Sequence, residues 1–393
     1  MVQSGAGARQ RARQPSRPFL PGPSGAGQLA ATPVVRRLHA LALAVAVALS
    51  VPAATAAQQD TNRLEPYLEL VHRYRDGDPE GSAQRLAGWS AEDVRRATGL
   101  FQLELERHEP AVVATVPAAV ALHTEAALLL RRHGRYDAAD VHIEAAHRVL
   151  RQRRPFVRPL DPEAPLGPLW YRAVGAQYRA HAFVGKAEDL LEEGLARYPE
   201  DAELWLSRGG VYELIATVGA QREDGRGAAA AHSAPRNRYR MAAEAYQRAL
   251  ELQPGLDRAR LRLARVFQEV GRLDEAERAL AAVLAAAPDR RTAFMAHLFL
   301  GELFETRREL RRALAEYRAA VAIHPGSASA QLALSYALLR SGSRAAAGPP
   351  VLAALDAAGQ QDHWLGYLAA DDEHEASARA LRAFAMGGGA VTR

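Results

Sequence analysis

The chain has no cysteine, a single lysine (Lys186) and few aromatic residues. Without cysteine there is no disulfide framework, no thiolate metal site and no cysteine to carry a lipid behind a leader. A folded form must therefore rest on packing alone. Alternating runs of β-branched residues are nearly absent, which removes the usual signal for half-buried strands. Catalytic and ligand signatures are missing as well: there is no HExxH, no GxSxG, no Gly-rich phosphate loop and no EF-hand loop. What is abundant is Ala, Leu, Arg and Glu, all good helix formers. An all-α protein is expected.

The sequence pI is about 9.6, with 50 basic and 45 acidic residues. Six of the basic residues, Arg9, Arg11, Arg13, Arg17, Arg36 and Arg37, fall in residues 1–57, which hold no acid. Setting them aside leaves a body of nearly balanced charge. It lacks the basic stripe and interleaved aromatics of a nucleic-acid binder, so no nucleic acid is expected as a partner.

Residues 34–57 read as a signal peptide. Arg36 and Arg37 form a positive start, Ala40 to Val51 an apolar core, and Ala54-Thr55-Ala56 a small-x-small cleavage pattern. That core is about a dozen residues, well short of the roughly 20 that span a bilayer. Export to the periplasm or beyond is expected, with no membrane insertion after cleavage. The alternative is an inner-membrane anchor formed by an uncleaved signal. Residues 1–33, rich in Gly, Pro, Ser and Arg, read as a disordered extension.

"VGRLDEAERALAAVLAAAP" (270–288) reads as a Gly-bearing turn, a helix of small residues and a proline stop. Six copies of such a hairpin come into register from starts at 120, 168, 202, 257, 294 and 328. The steps 168→202 and 294→328 are both 34 residues, and the others carry insertions. The eighth slot holds Ala127, Gly175, Gly209, Ala264, Gly301 and Ser335. The twentieth holds Ala139, Ala187, Ala242, Ala276, Ala313 and Ala347. Bulky residues complement them: Leu130, Tyr178, Tyr212, Phe267, Phe304 and Leu338 in the eleventh slot, and Ile143, Leu191, Tyr246, Leu280, Tyr317 and Val351 in the twenty-fourth. Small residues at a helix crossing let the axes approach, and bulky ones fill the gap beside it. Pro199, Pro254, Pro288 and Pro325 stop four of the second helices.

This pattern resembles the tetratricopeptide repeat (TPR). "FMAHLFLGELFETRRELRRALAEYRAAVAIHP", with Leu300-Gly301, Phe304, Ala313, Tyr317, Ala320 and Pro325, is the clearest copy. The resemblance implies a right-handed superhelical solenoid of helix-turn-helix hairpins with non-consensus caps. The expected order is a cap at 58–118, a first hairpin at 119–153, a Pro-rich linker at 154–167 and a main array at 168–361. A surface-loop insertion is expected at 219–237, and a C-terminal capping helix and tail at 362–393.

TPR arrays bind peptides or helices on the concave face of their first helices. The matching slots here give Leu169, Arg172, Arg179, Arg258, Leu261, Arg265, Gln268, Glu269, Leu298, Glu302 and Glu305. The Lys and Asn residues of a chaperone-type carboxylate clamp are absent from them. His142 and His147 read as surface histidines and Lys186 as an ordinary helical lysine. Asp371 to Glu375 reads as a favourable helix start rather than a metal site. No catalytic residue, metal or cofactor is expected. The function implied is a non-catalytic scaffold of the bacterial cell envelope that binds another protein. The alternatives are an enzyme or carbohydrate-active accessory with a site in the 58–118 segment or the 219–237 loop, for which Trp89, Glu92 and Asp93 are the support, and a self-assembling homo-oligomer.

Overall fold

The computed structural model describes residues 52–107, 110–151, 166–223, 233–357, 367 and 371–387. The chain divides into the units Met1–Gln59 and Asp60–Arg393, and the helical array belongs to the second. Among the described residues there are seventeen helices and no strand. None is long and apolar enough to cross a membrane. The apolar core of the expected signal lies outside the described residues, and its cleavage pattern falls in the first turns of helix α1.

Helices α1 (Pro52–Arg75), α2 (Pro79–Ala87), α3 (Ala91–Glu106) and α4 (Pro110–Val113) precede the array. Asp76 to Asp78 separate α1 from α2. Gly77 has φ 118°, and the Asp78 carboxylate caps α2 by accepting from the Gly81 N–H.

Six hairpins come next. They are α5 (Val116–Arg132) with α6 (Tyr136–Leu150), α7 (Leu166–Ala180) with α8 (Val184–Arg197), and α9 (Ala202–Glu223) with α10 (Ser233–Leu252). Then come α11 (Asp257–Glu269) with α12 (Leu273–Ala285), α13 (Arg290–Thr306) with α14 (Leu310–Ile323), and α15 (Ala328–Arg340) with α16 (Arg344–Asp356). The last helix is α17 (Asp371–Ala385). The unit is an all-α helical solenoid. Second helices end two or three residues before Pro199, Pro254, Pro288 and Pro325, where proline withdraws the N–H.

Both rows of small residues are buried, and the large residues sit directly on them. A Cβ added at Gly209 would lie 2.3 Å from the Tyr246 ring, and one at Gly301 would lie 2.4 Å from the Tyr317 ring. At Gly175 the obstacle is a Leu191 methyl, at 2.9 Å. The eighth slot is therefore small because the twenty-fourth of the same hairpin presses into it. Gly209→Ala is expected to destabilise by about 1–3 kcal/mol, since the buried ring cannot yield. That loss holds in spite of the roughly 1 kcal/mol that Ala gains over Gly in a helix. Gly175→Ala is expected to be nearly neutral, because a methyl can turn away. Urea midpoints compare the two, and equal losses would remove the ring as the cause.

Val351 departs from the pattern and is exposed. After Ala347 the buried face turns toward Pro350, Ala354 and Ala357, leaving Val351 at its edge.

The turn between the two helices needs a left-handed residue. Gly271, at φ 80°, supplies it in the fourth hairpin. In the second and fifth hairpins Ala182 (φ 58°) and Arg308 (φ 61°) take that conformation at a steric cost. Arg308 is exposed. Arg308→Gly is therefore expected to stabilise the chain by about 0.5–1 kcal/mol in urea denaturation. A loss of stability would show that the Arg308 side chain matters more than its backbone.

Three expectations about organisation need correcting. The first hairpin is not set apart by the Pro-rich stretch. It shares one core with α1 to α3 and with α7 to α9, and Leu166 and Gly167 already belong to α7. Residues 219–223 and 233–237, expected in a loop, continue α9 and begin α10. Runs such as "ATVGAQRE" and "RNRYRMAAEAY" keep helical residues right up to the glycines and alanines between them. Residues 224–232 lie outside the described ones. Finally, α17 does not close the last hairpin. It packs on α5 and α7, where Leu381 and Ala385 join the N-terminal core. Leu332, Tyr336, Leu339, Leu352 and Leu355 on α15 and α16 are exposed.

The histidines also differ from expectation. His142 is buried, with its Nδ1 3.0 Å from the Nδ1 of His123. His123 in turn meets the Tyr67 hydroxyl at 3.1 Å. His147 is half-buried, stacked on Trp170 and 3.0 Å from Glu193. Both lie on the side of α6 that faces neighbouring helices, which five-residue spacing alone does not reveal.

Candidate partner-binding face

First helices pack on one another along the array: α5 on α7, α7 on α9, α9 on α11, and α11 on α13. From α8 onward, second helices pack instead on the first helix of the following hairpin. The first helices therefore make one continuous face, and the slots of a TPR groove lie on it.

The charges expected there are engaged across the hairpins. Arg172 and Arg258 both pair with Glu203, at 3.5 and 2.6 Å. Arg265 pairs with Glu302 and Glu269, each at 2.6 Å. Burial pulls the Arg265 guanidinium down, but these two carboxylates more than offset it and hold the group charged. Glu305 accepts from Arg340 at 2.9 Å and from the Tyr317 hydroxyl at 3.0 Å. Gln268 donates to the Phe299 carbonyl at 2.7 Å. Arg179 is buried, donates to the Ser207 carbonyl, and fills space that a Cβ on Gly210 would occupy. Leu261 and Leu298 are buried. These residues act as rungs that join successive first helices. Leu298 and Glu302 also line an open cleft with Tyr317, Ser329 and Ala333.

The centre of the face is filled by the chain's own C-terminal segment, which sequence reasoning missed. Glu213 on α9 is 2% exposed. Its carboxylate accepts from the Tyr246 hydroxyl at 2.6 Å, the Arg262 guanidinium at 3.0 Å and the Tyr367 hydroxyl at 2.9 Å. Arg262 also donates to the Tyr367 carbonyl at 2.7 Å and lies over its ring. Phe299 meets that ring edge-on at 5.4 Å. Burial first, and then the Glu213 charge, pushes the phenols of Tyr246 and Tyr367 far above their ordinary value. Both stay hydroxyl donors.

Helix α17 has a second anchor. Arg382 grips Glu125 on α5 with two hydrogen bonds of 2.6 Å, and Tyr74 adds a third to the same carboxylate at 2.5 Å. Bidentate guanidinium–carboxylate pairs combine strength with fixed geometry. Glu125, Arg262 and Phe299 all occupy the sixth slot of their hairpins. Glu213 stands in the twelfth slot of its hairpin, the slot of Arg179, Gln268 and Glu305, so the seat joins the sixth-slot row to one of the slots that were expected to bind.

Residues 236–298 and 298–363 match two family models, each described as a tetratricopeptide repeat. Residues 236–363 of the chain are tetratricopeptide repeats. Among solved structures it is similar to MamA from Desulfovibrio magneticus RS-1, at 20% identity over 50% of this chain and 97% of that one, with a TM-score of 0.38. It is similar also to a monomeric mutant of IFIT1 solved with Gppp-AAAA, at 19% identity over 73% of this chain and 66% of that one, with a TM-score of 0.45. No curated protein sequence matches the chain.

The cluster offered for an enzymatic site does structural work. Trp89 packs on Tyr67 at 6.5 Å. Ser90 caps α3 by accepting from the Asp93 N–H, while its hydroxyl donates to the Asp93 carboxylate. Glu92 lies 3.5 Å from Arg96, one turn on. Lys186 pairs with Asp140, which also holds the buried Arg131. Asp371 opens α17, and no group of three metal-ligating side chains occurs among the described residues.

Proposed function

We propose that this protein is a non-catalytic scaffold that holds a peptide or helix of another protein along its first-helix face. One observation carries the reading: that face already holds Tyr367 and helix α17 of its own chain through hydrogen-bonded side-chain anchors. The rungs beside the seat keep the first helices in register, so the face is formed before any partner arrives.

The proposal includes export to a bacterial cell envelope. Its support is Arg36-Arg37, the apolar stretch to Val51 and the Ala54-Thr55-Ala56 pattern. Sequencing the N-terminus of the chain from its native cell is expected to find a mature chain that starts at residue 57 or 58. An uncut chain would end that part of the reading.

A photo-crosslinking residue at Ala333, in the open cleft, is expected to capture another protein in living cells. The same residue at exposed Arg318 on α14 is expected to capture none. No adduct at Ala333, or equal yields at both, would overturn the scaffold reading.

A further inference from the structure

The seat has chemical features that point to what it takes. Glu213, Arg262 and Phe299 come from three successive first helices and converge on one tyrosine. The carboxylate reads the hydroxyl, the guanidinium reads the main-chain carbonyl, and the phenyl edge packs on the ring. Two hairpins away, Glu125 reads an arginine on a helix whose inner side is His374, Ser377, Ala378, Leu381 and Ala385. These residues recur with helical spacing, so an amphipathic helix is recognised as such.

The fit of the resident segment is incomplete. Gln177 on α7 is 1% exposed, and neither its amide nitrogen nor its amide oxygen makes a hydrogen bond. It shares a small cavity with His374, Ala378 and Leu381 of α17. A buried amide without a partner is costly, and α17 offers apolar Ala378 and Leu381 beside it. Next to the tyrosine seat, the cleft of Leu298, Glu302 and Ala333 stays open.

We propose that Tyr367 and helix α17 are a displaceable resident, and that the partner of this face carries the same recognition pair. That pair is a tyrosine for Glu213, Arg262 and Phe299, followed on an amphipathic helix by an arginine for Glu125. The inference rests on the scaffold reading above and adds the partner's chemistry and a competing segment in cis. The partner lands in the open cleft, then takes the tyrosine seat as Tyr367 leaves.

A labelled synthetic peptide of residues 362–387 serves as the probe, with binding read by fluorescence anisotropy. The full chain with Tyr367→Ala and Arg382→Ala is expected to bind it at least tenfold more tightly than the unaltered full chain. The peptide carrying Tyr367→Phe, which keeps the ring and loses the donor, is expected to bind that variant about tenfold less tightly. Equal binding to both chains, or no effect of the hydroxyl, would overturn the proposal. If the doubly substituted chain loses its helical circular dichroism, the unaltered chain carries the test. Excess peptide must then speed amide exchange within 371–385, and unchanged exchange would be fatal. A chain that sediments as a dimer with its tail on the neighbouring copy would also overturn it. An adduct at Ala333 with no peptide binding leaves the scaffold standing and ends this inference. Peptide binding with no adduct keeps the seat and ends the scaffold reading.

Discussion

Replacing Glu213 by alanine is expected to cost about 3–5 kcal/mol, the largest loss of any single substitution considered for this chain. The carboxylate is closed off from solvent and serves three donors on three other helices or segments. Its removal takes the Glu213 charge away from the guanidinium of Arg262, which is only 11% exposed. It also takes the acceptor from two buried phenols whose protons cannot leave. Glu213→Gln keeps the volume and one acceptor oxygen but not the charge, so roughly half the loss is expected. The rung at Glu203 provides the contrast. Its partners Arg172 and Arg258 are 20% and 45% exposed, so solvent still reaches both pairs, and pairs open to water contribute about 0–1 kcal/mol each. Urea unfolding followed by circular dichroism ranks the three variants. Repeat arrays lose stability through neighbouring units, so the Glu213→Ala loss is expected first in α9 to α13, as earlier amide exchange there. Equal costs for Glu213→Ala and Glu203→Ala would show that burial does not set the energetics of this face.

The hairpins were legible because their packing rule is local. A small residue in the eighth slot and a large one in the twenty-fourth belong to one hairpin, so the pairing of Gly209 with Tyr246 is written within a single repeat. The seat was not legible, because its parts are far apart in the chain: Glu213 meets Tyr367, and Glu125 meets Arg382, across more than a hundred residues. The TPR slots pointed to Arg258, Leu261 and Arg265 and passed over Arg262 between them. A signal was nonetheless present. Glu213 stands alone among apolar residues in "GGVYELIATVG", and His123 and Glu125 stand in "AVALHTEAALLL". A lone ionisable residue in a helix that is apolar all round must be paired inside the protein. Its partner then has to come from elsewhere in the chain. The same reasoning explains why the expected C-terminal cap failed. Arg382 and Tyr367 follow buried carboxylates, and these lie on α5 and α9, not on the last hairpin.

The buried histidine pair is expected to make the fold sensitive to acid. Burial first, and then nearby Arg135, pulls His142 down to about 4. Burial, His142 and Arg148 pull His123 well below its ordinary value. Tyr67 supplies a hydroxyl at the other ring nitrogen and stays protonated, because burial raises it. In the folded chain both rings are therefore neutral, and their 3.0 Å contact needs one Nδ1 to donate and the other to accept. Two protonated rings would set N–H against N–H. Unfolded, each ring takes up its proton near pH 6.5. Between that value and about 4 the unfolded state binds more protons, so stability is full above pH 6.5 and falls as the pH drops toward 4. For His142 alone the gap corresponds to about 3 kcal/mol, and His123 adds to it. Denaturation at pH 7, 6, 5 and 4 is expected to show this decline in the unaltered chain. His142→Gln, which keeps a hydrogen-bonding side chain without titrating, is expected to flatten it by about 3 kcal/mol over the same range. A variant whose stability falls as steeply as the unaltered chain's would place the acid sensitivity elsewhere.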